Sequence, residues 1–275
     1  MRRFLHQIKE TKQTLKKYAY PIVGFKVVKL IVVFLFVYSG LYAQNNSELF
    51  EKANELYRNE NYVEAIGIYE EIEASGLVSS ELYYNLGNAY YKINKVAPSI
   101  YNLEKALLLN PQNKDASNNL VFANRMKIDA IEELPKTFFQ NLEIDIVQKL
   151  TYNQWAYLAV FSSILMSLFF LFFYFSYIPT RKRIYFLTSL LGVLFLIVST
   201  LFAYKKYVTS IATVEAIVYK QKVSVKNAPS DTSQEVFELH EGLKVFVLDA
   251  VDIWRKIKLA DGKTGWVHNE SLKTL

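Results

Sequence analysis

Two uncharged apolar runs, separated by six residues, constrain this chain more than any other feature. Residues 155–177 read WAYLAVFSSILMSLFFLFFYFSY and residues 184–204 read IYFLTSLLGVLFLIVSTLFAY. At about 1.5 Å per residue, each is long enough to cross a hydrocarbon core of about 30 Å. The connection Ile178-Pro179-Thr180-Arg181-Lys182-Arg183 is too short for anything but a hairpin, and its proline falls where a helix must stop. Transmembrane helices are therefore expected at 155–178 and 184–204. Cations in a short loop favour the cytoplasmic side. Lys205 and Lys206 oppose that bias, but the basic N-terminus agrees with it. Tyr152, Trp155, Tyr157, Tyr204 and Tyr207 sit where an aromatic belt belongs.

Charge is distributed unevenly. The chain carries a net +6, yet residues 1–29 alone hold eight Lys or Arg against one acid, Glu10. Residues 44–134 hold 14 acids against 8 bases. A basic leader ahead of an acidic domain does not make a phosphate-binding surface, so nucleic acid is not expected as a partner. Residues 1–43 read as a signal peptide or signal anchor. The apolar run Leu30–Val37 is followed by Ala43, a small residue before the polar Gln44-Asn45-Asn46. Either form sends residue 44 onward across the membrane. Both soluble regions then face the periplasm of a bacterial inner-membrane, multi-pass protein.

Shifted by 34 residues, the segment behind the leader matches itself. Leu49 pairs with Tyr83, Asn54 with Asn88, Leu56 with Tyr90, Tyr57 with Tyr91, Ala65 with Ser99 and Ile66 with Ile100. A period of this size means stacked helix pairs, with small residues such as Gly87, Ala89, Ser99 and Ala106 taking the close contacts. Asn110-Pro111 closes the second copy and Gly76 the first. YYNLGNAYYKINKVAPSIYNLEKALLLNP (83–111) and LFEKANELYRNENYVEAIGIYEEI (49–72) resemble the tetratricopeptide repeat. That resemblance implies repeats at 46–79 and 80–113, and a capping helix at 114–130 carrying Ala116, Leu120, Ala123, Met126 and Ile128. Residues 44–130 make up this domain, and 131–154 a connector containing a helix.

In such repeats the first helix of each pair lines a groove. Some relatives grip a C-terminal carboxylate there with two asparagines and several cations. Asn54 and Asn85 fall at the two asparagine positions, but Phe50, Asp115 and Asn119 stand at the cationic ones. A dianionic terminus is therefore not the expected ligand. Asn54, Tyr57, Asn85, Asn88 and Asn119 are candidates for contacting an extended peptide. The recurrence of Asn54 and Asn88 is also explained by the repeat alone.

Residues 213–275 carry short strand patterns, at Ala216–Val218, Val223–Val225, Leu243–Leu248, Trp254–Lys258 and Gly265–Val267, with turns at Asn227–Ser230 and Asp261-Gly262-Lys263. Five or six strands in so short a segment suggest one small barrel. Val225 with Ala228-Pro229, then Leu239-His240-Glu241-Gly242, Trp254 and Asp261–Val267 resemble a bacterial SH3 domain. Related domains bind peptides, often from the cell wall. Trp254 and Trp266 are candidates for such a surface, or for core packing. His240 and Glu241 stand in a turn before glycine and are expected to be structural.

The chain is thus multidomain: an all-α tetratricopeptide helical repeat, a transmembrane α-helical hairpin and a C-terminal small all-β SH3-like barrel. This order, with DASNNLVFANRM (115–126), Trp155 and the barrel from Ala216 to Leu272, resembles the BatE-type aerotolerance-operon proteins of Bacteroidetes. The resemblance implies a membrane complex with von Willebrand A-type proteins and a role in oxidative-stress tolerance or envelope integrity. No enzyme is expected. There are no cysteines and three histidines, and no metal spacing, cofactor loop or nucleophile elbow is present. Two functions remain: an assembly scaffold, or a sensor or tether whose barrel binds peptidoglycan peptide. The acidic repeat and the net +2 of residues 205–275 can attract each other only at contact, the Debye length being about 8 Å.

Overall fold

The computed structural model describes residues 47–132 and 134–275. The basic leader, read as a signal peptide or signal anchor, lies outside the described residues.

Five helices form the first layer: α1 (residues 47–58), α2 (Tyr62–Ala74), α3 (Ser80–Lys92), α4 (Val96–Leu109) and α5 (Lys114–Asn124). The 34-residue period survives into backbone detail. Glu60 and Asn94, one period apart, both take left-handed φ values, 63° and 58°, in the turns closing α1 and α3. Ser79 and Asn113 cap α3 and α5 by accepting from Leu82 N and Ala116 N, each at 3.0 Å. Small residues set the helix spacing. A Cβ on Gly87 would lie 2.8 Å from Leu103 Cγ, and Ser99 Oγ donates to the Gly87 carbonyl at 2.8 Å. The capping helix is shorter than its apolar pattern suggested. It ends at Asn124, and Ile128 is 72% exposed, because the chain leaves the helix there to run along the C-terminal sheet.

Pro135 precedes a short helix, α6 (Phe138–Ile146), followed by a 3-10 turn at Val147–Lys149. Then come α7 (Tyr152–Phe175) and α8 (Pro179–Ala212), packed side by side, both long and apolar enough to cross a membrane. Their bounds differ from the expected 155–178 and 184–204. Pro179 stops nothing. It starts α8 as a first-turn residue, where its missing N–H costs no hydrogen bond. Arg181, Lys182 and Arg183 therefore lie in the first turns of α8 rather than in a loop. Ser189 and Gly192, the small residues of the second run, both meet Met166. Ser189 Oγ donates to its carbonyl at 3.3 Å, and a Cβ on Gly192 would lie 3.0 Å from its Cβ. Most other large apolar side chains of the pair point outward.

Seven strands complete the chain: β1 (Val214–Val218), β2 (Lys222–Lys226), β3 (Glu235–His240), β4 (Lys244–Val251), β5 (Trp254–Lys258), β6 (Thr264–His268) and β7 (Leu272–Thr274). They form one antiparallel sheet in the order β3-β2-β6-β5-β4-β1-β7. It encloses a core of Ala216, Val218, Val223, Val225, Leu239, Val245, Ile257 and Val267. The fold is SH3-like but not the closed barrel expected, since β3 and β7 end the order without pairing. Those two strands were also missing from the sequence reading. Gly265 lets β6 cross β2 closely, as a Cβ there would lie 2.3 Å from Val225 Cγ1. Gly262 takes the positive φ (93°) expected of its turn.

The repeat and the sheet are packed together. Ile217 of β1 is fully buried among Tyr83, Ala97, Ile100 and Tyr101, a burial worth about 1.5–3 kcal/mol. Ile131 packs on the sheet's own core. Asp129 accepts from the His240 backbone N–H at 2.6 Å and meets its ring Nδ1 at 2.9 Å. His240 thus ties the sheet to the segment that follows α5. Glu104 of α4 bonds Lys244 of β4 at 2.9 Å, so opposite charges do meet at contact.

Candidate functional site

The first helices of the pairs, α1, α3 and α5, bring the predicted asparagines together in two rungs. Asn85 Nδ2 donates to Asn54 Oδ1 at 2.9 Å, and Asn119 Nδ2 donates to Asn88 Oδ1 at 2.8 Å. Each rung spans 31 residues, so the same geometry recurs one repeat further on. Tyr69 of α2 fixes the first rung by donating its hydroxyl to Asn54 Oδ1 at 2.7 Å. Tyr69 is fully buried, and burial pushes its hydroxyl up to about 12, so it stays a donor at every ordinary pH. Tyr84 backs the second rung, its hydroxyl 3.5 Å from Asn119 Nδ2.

Each rung uses one carbonyl and one amino group. The other halves, Asn54 Nδ2 and Asn85 Oδ1 in one and Asn88 Nδ2 and Asn119 Oδ1 in the other, have no partner among the described residues. A donor next to an acceptor is what an extended peptide backbone requires. Tyr57 stands half-buried at the end of α1, edge-on to Tyr62 at 5.3 Å. Burial raises its hydroxyl pKa as well.

Beside the first rung lies an open depression lined by Phe50, Glu81, Tyr84, Asn85, Lys114 and Asp115. Two carboxylates against one ammonium make it unsuited to an anionic terminus. This agrees with the residues standing where cations would be needed. The sheet does not cover this face. It docks on α4, which contributes none of the five candidate side chains.

The tryptophans of the sheet separate. Trp254 is not a surface residue: it is 5% exposed, on β5, with its ring 4.1 Å from that of His268. Strand alternation puts Trp254 on the side of β5 opposite Ile257, so it is buried against His268 outside the core that Ile257 joins. Trp266 is half-buried, with the Lys256 ammonium 6.0 Å from its ring centre. His268, not singled out by sequence, bonds Asp231 of the β2–β3 loop at 3.0 Å.

Comparison with known families agrees with both domains. Residues 80–113 match the tetratricopeptide repeat family, and residues 222–273 match the bacterial SH3 domain family. The chain therefore contains a tetratricopeptide repeat and a bacterial SH3 domain, both of them non-catalytic binding folds. No curated protein matches the sequence.

Proposed function

We propose that the protein is a non-enzymatic, membrane-anchored scaffold for protein–protein interaction, with its repeat and SH3 domains on the periplasmic side of a bacterial inner membrane. The groove of α1, α3 and α5 holds an extended segment of a partner. The observation that carries this reading is the pair of asparagine rungs, each with an unused donor and acceptor, on a face the SH3 domain leaves open. Topology follows from the hairpin. Tyr152 at the start of α7 meets Tyr207 near the end of α8 at 6.0 Å, so the connections to both soluble domains leave from the same end. The far end carries Arg181, Lys182 and Arg183, which favour the cytoplasm.

The resemblance to BatE-type proteins supplies the partner class, von Willebrand A-type membrane proteins, and the setting, an aerotolerance or envelope-stress complex. The test is crosslinking in native membranes with the full chain tagged after Leu275, read by mass spectrometry. Recovery of von Willebrand A-type membrane proteins supports the scaffold. Recovery of cell-wall fragments with no protein partner sinks it.

A second reading rests on the SH3 match and on half-buried Trp266 with Lys256 beside it. On that reading the SH3 domain binds peptidoglycan peptide and the protein is a cell-wall sensor or tether. Sedimentation of the detergent-solubilised full chain with purified cell wall distinguishes the two, because only the tether pellets.

A further inference from the structure

We propose that α6 is an in-plane membrane helix, seating Phe138, Leu142 and Ile146 in the outer-leaflet boundary between headgroups and acyl chains. The proposal rests on the reading of α7 and α8 as membrane spans, and its partner is the lipid surface itself.

Four observations place the helix there. The first is that α6 is built as a separate element. Thr137 and Gln140 form a capping box, with the Thr137 N–H donating to Gln140 Oε1 at 2.8 Å and the Gln140 N–H to Thr137 Oγ1 at 3.4 Å. Thr151 and Gln154 repeat the box at the start of α7, with the same two bonds at 2.9 and 3.2 Å. Two independent starts within 14 residues break the chain at Val147–Lys149. Without that break α6 would run on as an extension of α7.

The second is the pattern of exposure. Phe138, Leu142 and Ile146 recur every fourth residue and share one side of the helix. They are 74%, 46% and 42% exposed, which would be costly in water for so short an element. Gln140 lies on the opposite side, and Asn141 and Asp145 flank the apolar one.

The third is the level at which α6 is tied to the hairpin. Glu143 bonds Lys205 of α8 at 2.7 Å. Val147, buried just past α6, accepts from Trp155 Nε1 at 3.1 Å, and the Trp155 ring lies edge-on to Phe202 at 5.0 Å. Tyr152 meets Tyr207 in the same zone. Residues 202–207 cover only about 7.5 Å of α8, at the point where its uncharged run gives way to Lys205 and Lys206. That is the aromatic and cationic boundary of a bilayer.

The fourth is continuity. α8 runs past this boundary to Ala212, and Tyr204, Tyr207, Val208 and Ile211 form its own exposed apolar stripe. On the other side Leu134, next to α6, donates its backbone N–H to Ala260 of the SH3 domain at 3.3 Å. α6 is thus the strut between the soluble domains and the spans. Lying in the interface, it fixes their height above the membrane.

The absence of cysteine makes the test clean. Single variants Leu142→Cys, Ile146→Cys and Gln140→Cys are spin-labelled in the full chain. Ile164→Cys and Leu194→Cys, on outward faces of α7 and α8, serve as references. Each is reconstituted in vesicles of phosphatidylethanolamine and phosphatidylglycerol. Collisions with dissolved oxygen are compared with collisions with a water-soluble nickel chelate. Oxygen is expected to prevail at 142, 146, 164 and 194, and nickel at 140. Nickel prevailing at 142 and 146 while 164 and 194 stay in lipid overturns the proposal and leaves the spans intact. Labels at 142 and 146 shielded from both reagents mean that protein covers the stripe, which also overturns it. Nickel prevailing at 164 and 194 overturns the span reading along with it.

Discussion

The Lys244 ammonium of the SH3 domain bridges Glu104 of the repeat at 2.9 Å and Glu215 of its own sheet at 2.8 Å. Three charges thus meet at the seam between two domains. Removing the cation leaves two facing carboxylates, so Lys244→Met is expected to destabilise the docked form by about 1–3 kcal/mol. Protease cleavage within residues 125–136, the stretch joining the domains, is the measurement, and the variant should be cut faster.

The same site has a pH signature. Burial opposes the Lys244 charge, but Glu104 and Glu215 more than offset it, and its pKa ends above the ordinary lysine value. A raised folded pKa means a contribution fully present below the unfolded value, about 10.4, and lost as pH rises through the folded one. Docking should hold from neutrality to about pH 10 and loosen above it. In Lys244→Met this alkaline loss should be smaller. Hydrogen exchange of β1 amides across that range reports it.

Two glycines are expected to respond in opposite senses to alanine. Gly242 has φ +85°, and a Cβ there would lie 2.9 Å from both Ile100 Cδ1 and Val96 Cγ1 of α4. Gly242→Ala should cost about 1–3 kcal/mol and strain the seam directly. Gly67, inside α2, has nothing within 4 Å of its Cβ site. Gly67→Ala should stabilise by about 0.5–1 kcal/mol. Thermal unfolding of the two variants checks both signs.

Asn102 is 3% exposed in α4, and its Nδ2 donates to the Pro98 carbonyl at 2.8 Å. Its Oδ1 is a buried acceptor with no donor among the described residues. Asn102→Leu keeps the branched shape of the side chain, removes that acceptor and should stabilise by about 1 kcal/mol. A fall in the unfolding temperature would mean that the carboxamide has a partner in solution.

Much of the architecture was legible because it rests on periodicity. The 34-residue shift predicted helix pairs, and it reappears in the turns at Glu60 and Asn94. Gly87 and Ser99 were legible as small residues, and each makes the contact that smallness permits. Asn54 and Asn85 were singled out by the resemblance to the repeat family and Asn88 by the 34-residue period, but their pairing into rungs was not legible, nor was Tyr69: its place in the repeat is taken by Leu103, and nothing in the sequence distinguishes a packing tyrosine from one that also donates to Asn54. The seam was not legible. Ile217, Gly242 and Lys244 look like ordinary strand and turn residues, and only the fold shows that their outward side meets α4. Trp254 was left open between surface and core, and the fold buries it beside His268, on the side of β5 opposite the core residue Ile257. α6 was placed only as a connecting helix, although both of its boundaries are written in the Thr-x-x-Gln boxes at 137–140 and 151–154.

The groove is the central claim, and the most direct measurement compares partner recovery from native membranes for three chains: wild type, the double variant Asn85→Ala/Asn119→Ala, and Trp266→Ala. Losing two backbone-directed side chains at about 0.5–1.5 kcal/mol each should lower affinity about 5- to 150-fold. The account predicts that the double variant loses the protein partner while Trp266→Ala keeps it. Full recovery with the double variant and loss with Trp266→Ala would contradict it and make the SH3 face the binding site.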